Sequence, residues 1–354
     1  MRVYVIDYPQ HAGKWIYRGF QSAWESLGYD VFKLNSGNTL NEMSSESLAN
    51  IDTTGDYMVM YPDSLCNDER IQEVLSKSYK SFIAAQPNAF PAPWGTHPNY
   101  RCQATDDTIR TLNKMENVHL WTFGDNRQFQ LKWKKSTTVP LAFDSIGYNR
   151  TIDEKYKYDV CFVGGWVDNG FNEKKKIMVD IFYEFAKSNL NCGFFVNKNI
   201  THEQENLLLS NSKICLNIHD EYQRKLGFDT NERTFKSLGL NGSLVSDSVG
   251  QLTRLFPEIK TSLDPRVIVD FTKQWLSFDE KTLENIKEQN RTFILENHCY
   301  TNRVEQLLSL TPHPTWAIGV PEDDLSNYDH EGVTELKEKG LIRTKSGTTF
   351  NDLK

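Results

Sequence analysis

Residues 212–247 read SKICLNIHDEYQRKLGFDTNERTFKSLGLNGSLVSD, and the order of apolar and polar runs in this stretch decides the fold class. Positions 213–218 form an apolar run of strand length, and 243–247 form another. The polar segment 220–229 between them reads as a loop, and a helix is expected from about Thr230. Strand, loop, helix and strand in that order make the βαβ unit of a parallel sheet. Open parallel sheets bind ligands outside the carboxyl ends of their strands. That rule places Asn217 and His219 at a candidate ligand edge. Asn231 stands at the start of the following helix, with Arg233 and Lys236 three residues apart on one face. Free N–H groups and the dipole at a helix start favour anions, and an arginine fork can hold two phosphate oxygens. The same residues also admit a plainer reading, an asparagine cap and a solvated basic face.

The alternation continues in both directions. Upstream, a strand at 159–163 runs into Gly164 and Gly165, followed by a helix at 172–188, a strand at 192–196 and a helix at 201–211. Three lysines, Lys174, Lys175 and Lys176, open the helix at 172–188, and at least two of them are expected to be solvated. The first half of the chain follows the same scheme. A strand at 2–7 leads into a loop with His11 and Gly13, an amphipathic helix at 14–27 stopped by Gly28, and a strand at 29–34. Further strands are expected at 55–61, 80–85, 118–122 and 137–140, with a proline-rich loop at 87–97. The polar stretch 151–158 reads as a linker. The expectation is an α/β protein of two doubly wound, Rossmann-like domains, 1–150 and 157–310, with a charged tail at 311–354 that either packs back or extends.

Bulk properties agree with that outline. At 354 residues the chain exceeds what one core usually supports, and 38% hydrophobic content suits packed domains. No apolar run nears the roughly 20 residues of a membrane helix, and the N-terminus reads as a strand, so a cytoplasmic protein is expected. A net charge of −7 makes a nucleic-acid partner unexpected. Six cysteines carry no C-x-x-C pair or metal spacing, and Cys161 and Cys215 sit within strands as small buried hydrophobes. Asp-x-Asp, Walker, G-x-S-x-G, H-E-x-x-H and G-x-G-x-x-G patterns are absent, so neither a metal nor a cofactor is expected.

The block from Ser212 resembles the signature of the CgeB-like (spore-protein-like) glycosyltransferases, a branch of the GT-B enzymes. The matching residues are Ser212-Lys213-Ile214, Leu216-Asn217-Ile218-His219, Asn231, Arg233, Phe235, Gly242 and Asp247. The run Asn297-His298-Cys299-Tyr300-Thr301-Asn302-Arg303, followed by Leu307-Leu308, is similar to the family's closing motif. The resemblance covers about 157–310. It implies a GT-B fold, with two domains facing across a cleft, and transfer of a sugar from a nucleotide-sugar donor, itself a substrate, to a hydroxyl acceptor such as a glycan. It also implies that the Gly164-Gly165 loop, Asn217, His219, Asn231, Arg233 and Asp247 bind the donor; Trp166, next after the glycines, reads equally as a flank to the base or sugar and as packing. One position departs from the pattern. Where the family carries a glutamate after N-x-R-x-F, this chain has Lys236, which reverses the charge and suggests either a phosphate contact or a lost one.

The acceptor is then expected on the first domain. His11, Gly13 and Lys14 in the first loop, Asp63 after the third strand and His97 in the proline-rich loop are the candidates. An inverting transferase needs a general base, and His11, Asp63 and His219 are the candidate catalytic groups. Two other readings stay open: a transferase acting on protein or nucleic-acid bases, and a non-catalytic binding or structural protein that keeps the fold.

Overall fold

Short strands of buried, β-branched or aromatic residues alternate with helices along most of the chain, and they assemble into two large parallel sheets, beside a small parallel pair of strands, Ile318–Pro321 with Arg343–Lys345. The computed structural model describes residues 1–6, 13–34, 57–60, 63–84, 104–125, 133–166, 174–310, 318–321 and 343–345. The chain divides into two units, one of residues 1–139 with 304–354 and the other of residues 140–303.

The first unit holds a six-stranded sheet of β1 (Arg2–Ile6), β2 (Asp30–Leu34), β3 (Tyr57–Met60), β4 (Lys80–Ala84), β5 (Val118–Thr122) and β6 (Ser136–Thr138). Their order is β2-β1-β3-β4-β5-β6, all parallel. Helices α1 (Gly13–Ser26), α2 (Glu69–Lys77) and α3 (Asp106–Leu112) supply apolar faces to it. Trp24, Phe82 and Trp121 are fully buried and fill much of its centre. The chain returns to this unit near its end, where the Lys80 ammonium donates to the carbonyls of Leu308 at 3.2 Å and Leu310 at 2.8 Å.

The second unit repeats the scheme with β7 (Val160–Gly164), β8 (Cys192–Val196), β9 (Ile214–Asn217), β10 (Leu244–Ser246) and β11 (Lys260–Thr261), in the parallel order β11-β10-β9-β7-β8. Its helices are α4 (Lys174–Ala186), α5 (His202–Asn211), α6 (Glu221–Leu226), α7 (Glu232–Leu240), α8 (Gly250–Leu255), α9 (Pro265–Leu276) and α10 (Glu280–Asn297). The last helix, α11 (Tyr300–Leu308), starts in this unit and ends in the first. Strands β7 and β9 are buried on both faces, with Val160, Phe162, Ile214 and Leu216 in one core with Met178, Ile181 and Ile268. Cys161 and Cys215 are fully buried thiols.

Each sheet reverses its winding direction beside its first strand, between β1 and β3 and again between β7 and β9. Neighbouring crossovers depart to opposite faces there, leaving a crevice at the carboxyl edge. In the second unit that crevice lies between Gly164 and Ile218.

One element differs from expectation, and one motif takes on a structural meaning. Segment 220–229 is not all loop, because it contains α6. Asp220 and Gln223 cap the helix start, with Gln223 Oε1 accepting the Asp220 N–H at 3.2 Å, and Gly227 ends it with φ at +69°. The closing motif at 297–303 is a clasp. Arg303 donates to the carbonyls of Pro140 at 2.9 Å and Leu141 at 3.3 Å, and to His298 Nδ1 at 2.8 Å. Phe143 exchanges backbone hydrogen bonds with the same turn, accepting from Tyr300 N–H and donating to the His298 carbonyl. These contacts tie residues 140–143 to the end of the second unit.

Candidate functional site

The end of β9 and the start of α7 form one hydrogen-bonded frame. Asn231 caps α7, its Oδ1 accepting the Thr234 N–H at 3.3 Å. The same oxygen accepts from Asn217 Nδ2 at 2.9 Å, and Asn217 also donates to Thr234 Oγ1 at 2.9 Å. Asn217 is fully buried, so these bonds are what permits an amide there. Asn231 is therefore a cap, as the plainer reading had it, and it also holds the end of β9.

His219 and Asp247 form a second, deeper layer. Asp247 accepts the His219 backbone N–H at 3.0 Å and His219 Nδ1 at 2.6 Å, and His219 Nε2 meets Thr230 Oγ1 at 2.7 Å. Both side chains are fully buried. Burial alone would raise the Asp247 carboxyl, but the imidazole charge and hydrogen bonds override it and hold the group below its ordinary value. The expectation that His219 is a catalytic group is corrected by this geometry. Both ring nitrogens are engaged inside the protein and the ring reaches no solvent, so it locks the strand end. Arg224, from the unexpected helix, donates to the His219 carbonyl and lies 3.7 Å from Asp247.

Arg233 is the group that reaches into the crevice. Its Nε donates to the Val163 carbonyl at 2.6 Å, and Nη1 donates to Asn217 Oδ1 at 3.1 Å and the Ile218 carbonyl at 3.4 Å. One guanidinium thus bridges the ends of β7 and β9 at the winding reversal, stacked over the Phe162 ring at 4.9 Å. Its Nη2 arm makes no hydrogen bond among the described residues. A Cβ on Gly164 would stand 2.8 Å from the Arg233 Cζ, and one on Gly165 would collide with Asn197 Oδ1. The two glycines are explained here by side chains that lie against them. Trp166 follows, its N–H donating to the same Asn197 oxygen at 3.1 Å.

Lys174, at the first turn of α4, is buried and pairs with Asp220 at 3.2 Å, while Lys175 and Lys176 are exposed as expected. Burial lowers the Lys174 ammonium from its ordinary value; Asp220 opposes that shift and the Arg233 charge reinforces it. Burial lowers Arg233 as well, against the pull of Glu205 and Glu232. Two mutually repelling cations therefore sit close together at a partly buried sheet edge. Asp229, which the sequence reading missed, is partly buried against Gln223 of α6. Burial pushes its carboxyl up to about 6, against a 2.8 Å hydrogen bond from Gln223. Its position just before the cap at Asn231 was the only available signal.

Lys236 points elsewhere. Its ammonium is buried between Glu205 at 2.9 Å and Glu232 at 3.1 Å, 5.4 Å above the Tyr148 ring. Tyr148 donates to Glu205 at 3.0 Å. Burial alone would lower the Lys236 ammonium, but the two carboxylates raise it well above its ordinary value. The suggested phosphate contact is corrected accordingly, since both nearby carboxylates already claim this charge.

Of the residues expected on the acceptor side, His11 and His97 lie outside the described residues. Gly13 and Lys14 begin α1, and Asp63 begins a 3₁₀ turn over Asp63–Asn67. Among the described residues no group of three or more metal-ligating side chains occurs, and no helix is long and apolar enough to cross a membrane.

Comparison with known proteins agrees with the architecture. Residues 150–309 match the protein-family model described as glycosyl transferase-like. No curated protein sequence gives a significant match. Among solved structures, an α-glucosyltransferase in complex with UDP and a 13-mer DNA aligns with a TM-score of 0.58 at 10% identity, covering 87% of this chain and 98% of that one. Trehalose-6-phosphate synthase, studied for glycosyl transfer with retention, aligns with a TM-score of 0.55 at 11% identity, covering 88% and 100%. The N-terminal domain of Candida albicans trehalose-6-phosphate phosphatase aligns at 0.51 and 9% identity, covering 87% and 95%. The fold is GT-B, and residues 150–309 are similar to the glycosyl transferase-like family.

Proposed function

We propose that this protein moves a sugar from a nucleotide-sugar donor to a hydroxyl acceptor, a glycan, without a metal. The observation that carries the reading is the uncommitted Nη2 arm of Arg233, beside Gly164 at the winding reversal, with the buried Lys174 nearby. A donor diphosphate there would relieve the repulsion between the two cations and meet the N-terminus of α7. As the glycosidic bond to phosphate breaks, charge grows on the leaving oxygen, and preorganised cations stabilise that state most. This is the service a metal performs in other transferases.

In this reading Gly164, Gly165, Asn231, Arg233 and Lys174 surround the donor. Asn217, His219 and Asp247 act through them as positioning residues, because their polar atoms are spent on the frame. Asp229 is added as an acceptor of donor hydroxyl groups. The acceptor is assigned to the first unit, with His11, Asp63 or His97 as the base if the enzyme inverts. Kinship with the CgeB-like branch and a cytoplasmic location belong to the same proposal.

Calorimetric titration with UDP, GDP, CMP and dTDP in the presence of EDTA tests it. One nucleotide should bind at a single site, and Arg233→Ala should abolish that binding while the circular dichroism spectrum is retained. Failure of all four to bind the wild-type protein would sink the reading, and binding that needs added metal would remove the metal-free part. Transfer assays with oligosaccharide and duplex DNA acceptors then separate a glycan acceptor from a nucleic-acid one.

A further inference from the structure

A cavity of about 580 Å³ opens in the second unit at the other edge of its sheet, where β7 and β9 begin. Its volume lies within the range of small-molecule sites. It shares no residue with the Arg233 crevice, and every residue lining it belongs to the second unit.

Its wall is divided by chemistry. Arg150, Lys157, Lys213 and Lys287 bring four cations, against the two carboxylates Glu280 and Glu284. Glu284 is shared: Lys287 pairs with one oxygen at 3.1 Å, while Arg150 stands 3.8 Å from the other, beyond hydrogen-bond reach. Lys213 is held by Asp159 at 2.7 Å. Among the described residues Arg150 is thus a partly buried guanidinium without a hydrogen-bonded counterion, lowered from its ordinary value by burial and by the neighbouring Arg291 charge. Lys287 is buried, and besides Glu284 its ammonium reaches the Ser212 carbonyl at 3.5 Å. The apolar part of the lining is Ile152, Leu276, Phe278 and Leu283, with Ile152 and Phe278 61% and 42% exposed. Exposed large hydrophobics beside cations offer a ligand apolar contact and charge at one site.

We infer that this cavity binds a small amphipathic oxyanion. Its charged head lies between Arg150 and Lys287, and its aromatic or aliphatic body rests on Phe278 and Leu283. An arginine fork suits a phosphate monoester or a carboxylate, and the apolar wall accounts for the body. The site does not depend on the donor reading.

The probe is phenyl phosphate, titrated into the full-length protein with the donor site blocked by the nucleotide that binds it, or directly if none binds. One saturable site is expected, weakened about tenfold in Arg150→Gln, a loss equivalent to about 1.4 kcal/mol. Phe278→Ser should weaken phenyl phosphate and leave inorganic phosphate unchanged. Arg233→Ala should leave phenyl phosphate binding intact, and loss in that variant would place the probe in the donor crevice and overturn the inference. Benzoate binding as tightly as phenyl phosphate assigns the head to a carboxylate and supports the site. No saturable binding of either probe, or equal affinity for inorganic phosphate and phenyl phosphate, overturns it. Circular dichroism of Arg150→Gln and Phe278→Ser verifies that each stays folded.

Discussion

The Arg233 guanidinium lies flat against Gly164, with its Cζ 2.8 Å from where a Cβ on that glycine would stand, while its Nε holds the carbonyl of Val163 at 2.6 Å. The glycine and the arginine are therefore one device, built from residues 69 positions apart in the chain. Replacing either should disturb the other.

Gly164→Ala is expected to push the guanidinium away from the end of β7. The variant should lose about 1–3 kcal/mol of stability. Its affinity for the bound nucleotide should fall about tenfold or more, each tenfold step being about 1.4 kcal/mol. Gly165→Ala meets only the Asn197 carboxamide, so its effect on nucleotide affinity should be smaller. Calorimetry on both variants decides the matter, and wild-type affinity in Gly164→Ala would contradict the coupling.

Lys236 is expected to matter for stability before it matters for donor binding. Lys236→Met strands two partly buried carboxylates, Glu205 and Glu232, and should cost about 3–5 kcal/mol in urea denaturation. Adding Glu205→Gln should recover part of that loss. Lys236→Glu should be worse than Lys236→Met, because it gathers three carboxylates. If Lys236→Met keeps full stability and loses the nucleotide, the ammonium is a ligand after all.

Asp229 predicts a pH dependence of one sign. Its folded value of about 6 lies above the 3.8 of an unperturbed aspartate, so the folded state binds the extra proton between those values. The group's contribution is favourable below about pH 4 and is lost as pH rises through about 6. Asp229→Asn should therefore be more stable than wild type at pH 7–8, by about 1–2 kcal/mol after allowance for partial exposure. The advantage should vanish near pH 4. Denaturation curves for the pair across that range provide the check.

Asp247 has the opposite sign. Its folded carboxyl is held below its ordinary value of 3.8, so its stabilisation is present above about pH 4 and is lost as pH falls through the lower folded value. Asp247→Asn should cost about 1.5–3 kcal/mol at pH 7, the worth of hydrogen bonds to a charged group. The gap from wild type should close in acid. A gap that widens below pH 4 would show that the His219 contact does not depend on the carboxylate charge.

Much of the architecture was legible before any coordinates. Strand β8 falls at 192–196 as read, and β5 and β9 fall within a residue or two of expectation, because each is a short apolar run bounded by polar or glycine-bearing turns. Helix α6 was missed although Asp220, Gln223 and Gly227 carry its start and stop signals, since a six-residue helix with only Tyr222 and Leu226 to bury leaves little apolar periodicity to see. The site was legible in position and not in role. Asn217, His219, Asn231, Arg233 and Asp247 do gather at the carboxyl edge, yet among the described residues only Arg233 of these five has a donor arm left over.

The sequence by itself determined that two runs of strands and helices would form parallel sheets, because period and punctuation are local properties of the chain. It also determined where a ligand edge would fall, since that follows from strand direction. Only the tertiary structure decided which polar groups at that edge are free. Lys236 is neutralised by Glu205, 31 residues away, and His219 is closed off by Asp247, 28 residues away. A charge is available to a ligand only after its partners in space have been counted, and those partners are set by folding rather than by spacing along the chain.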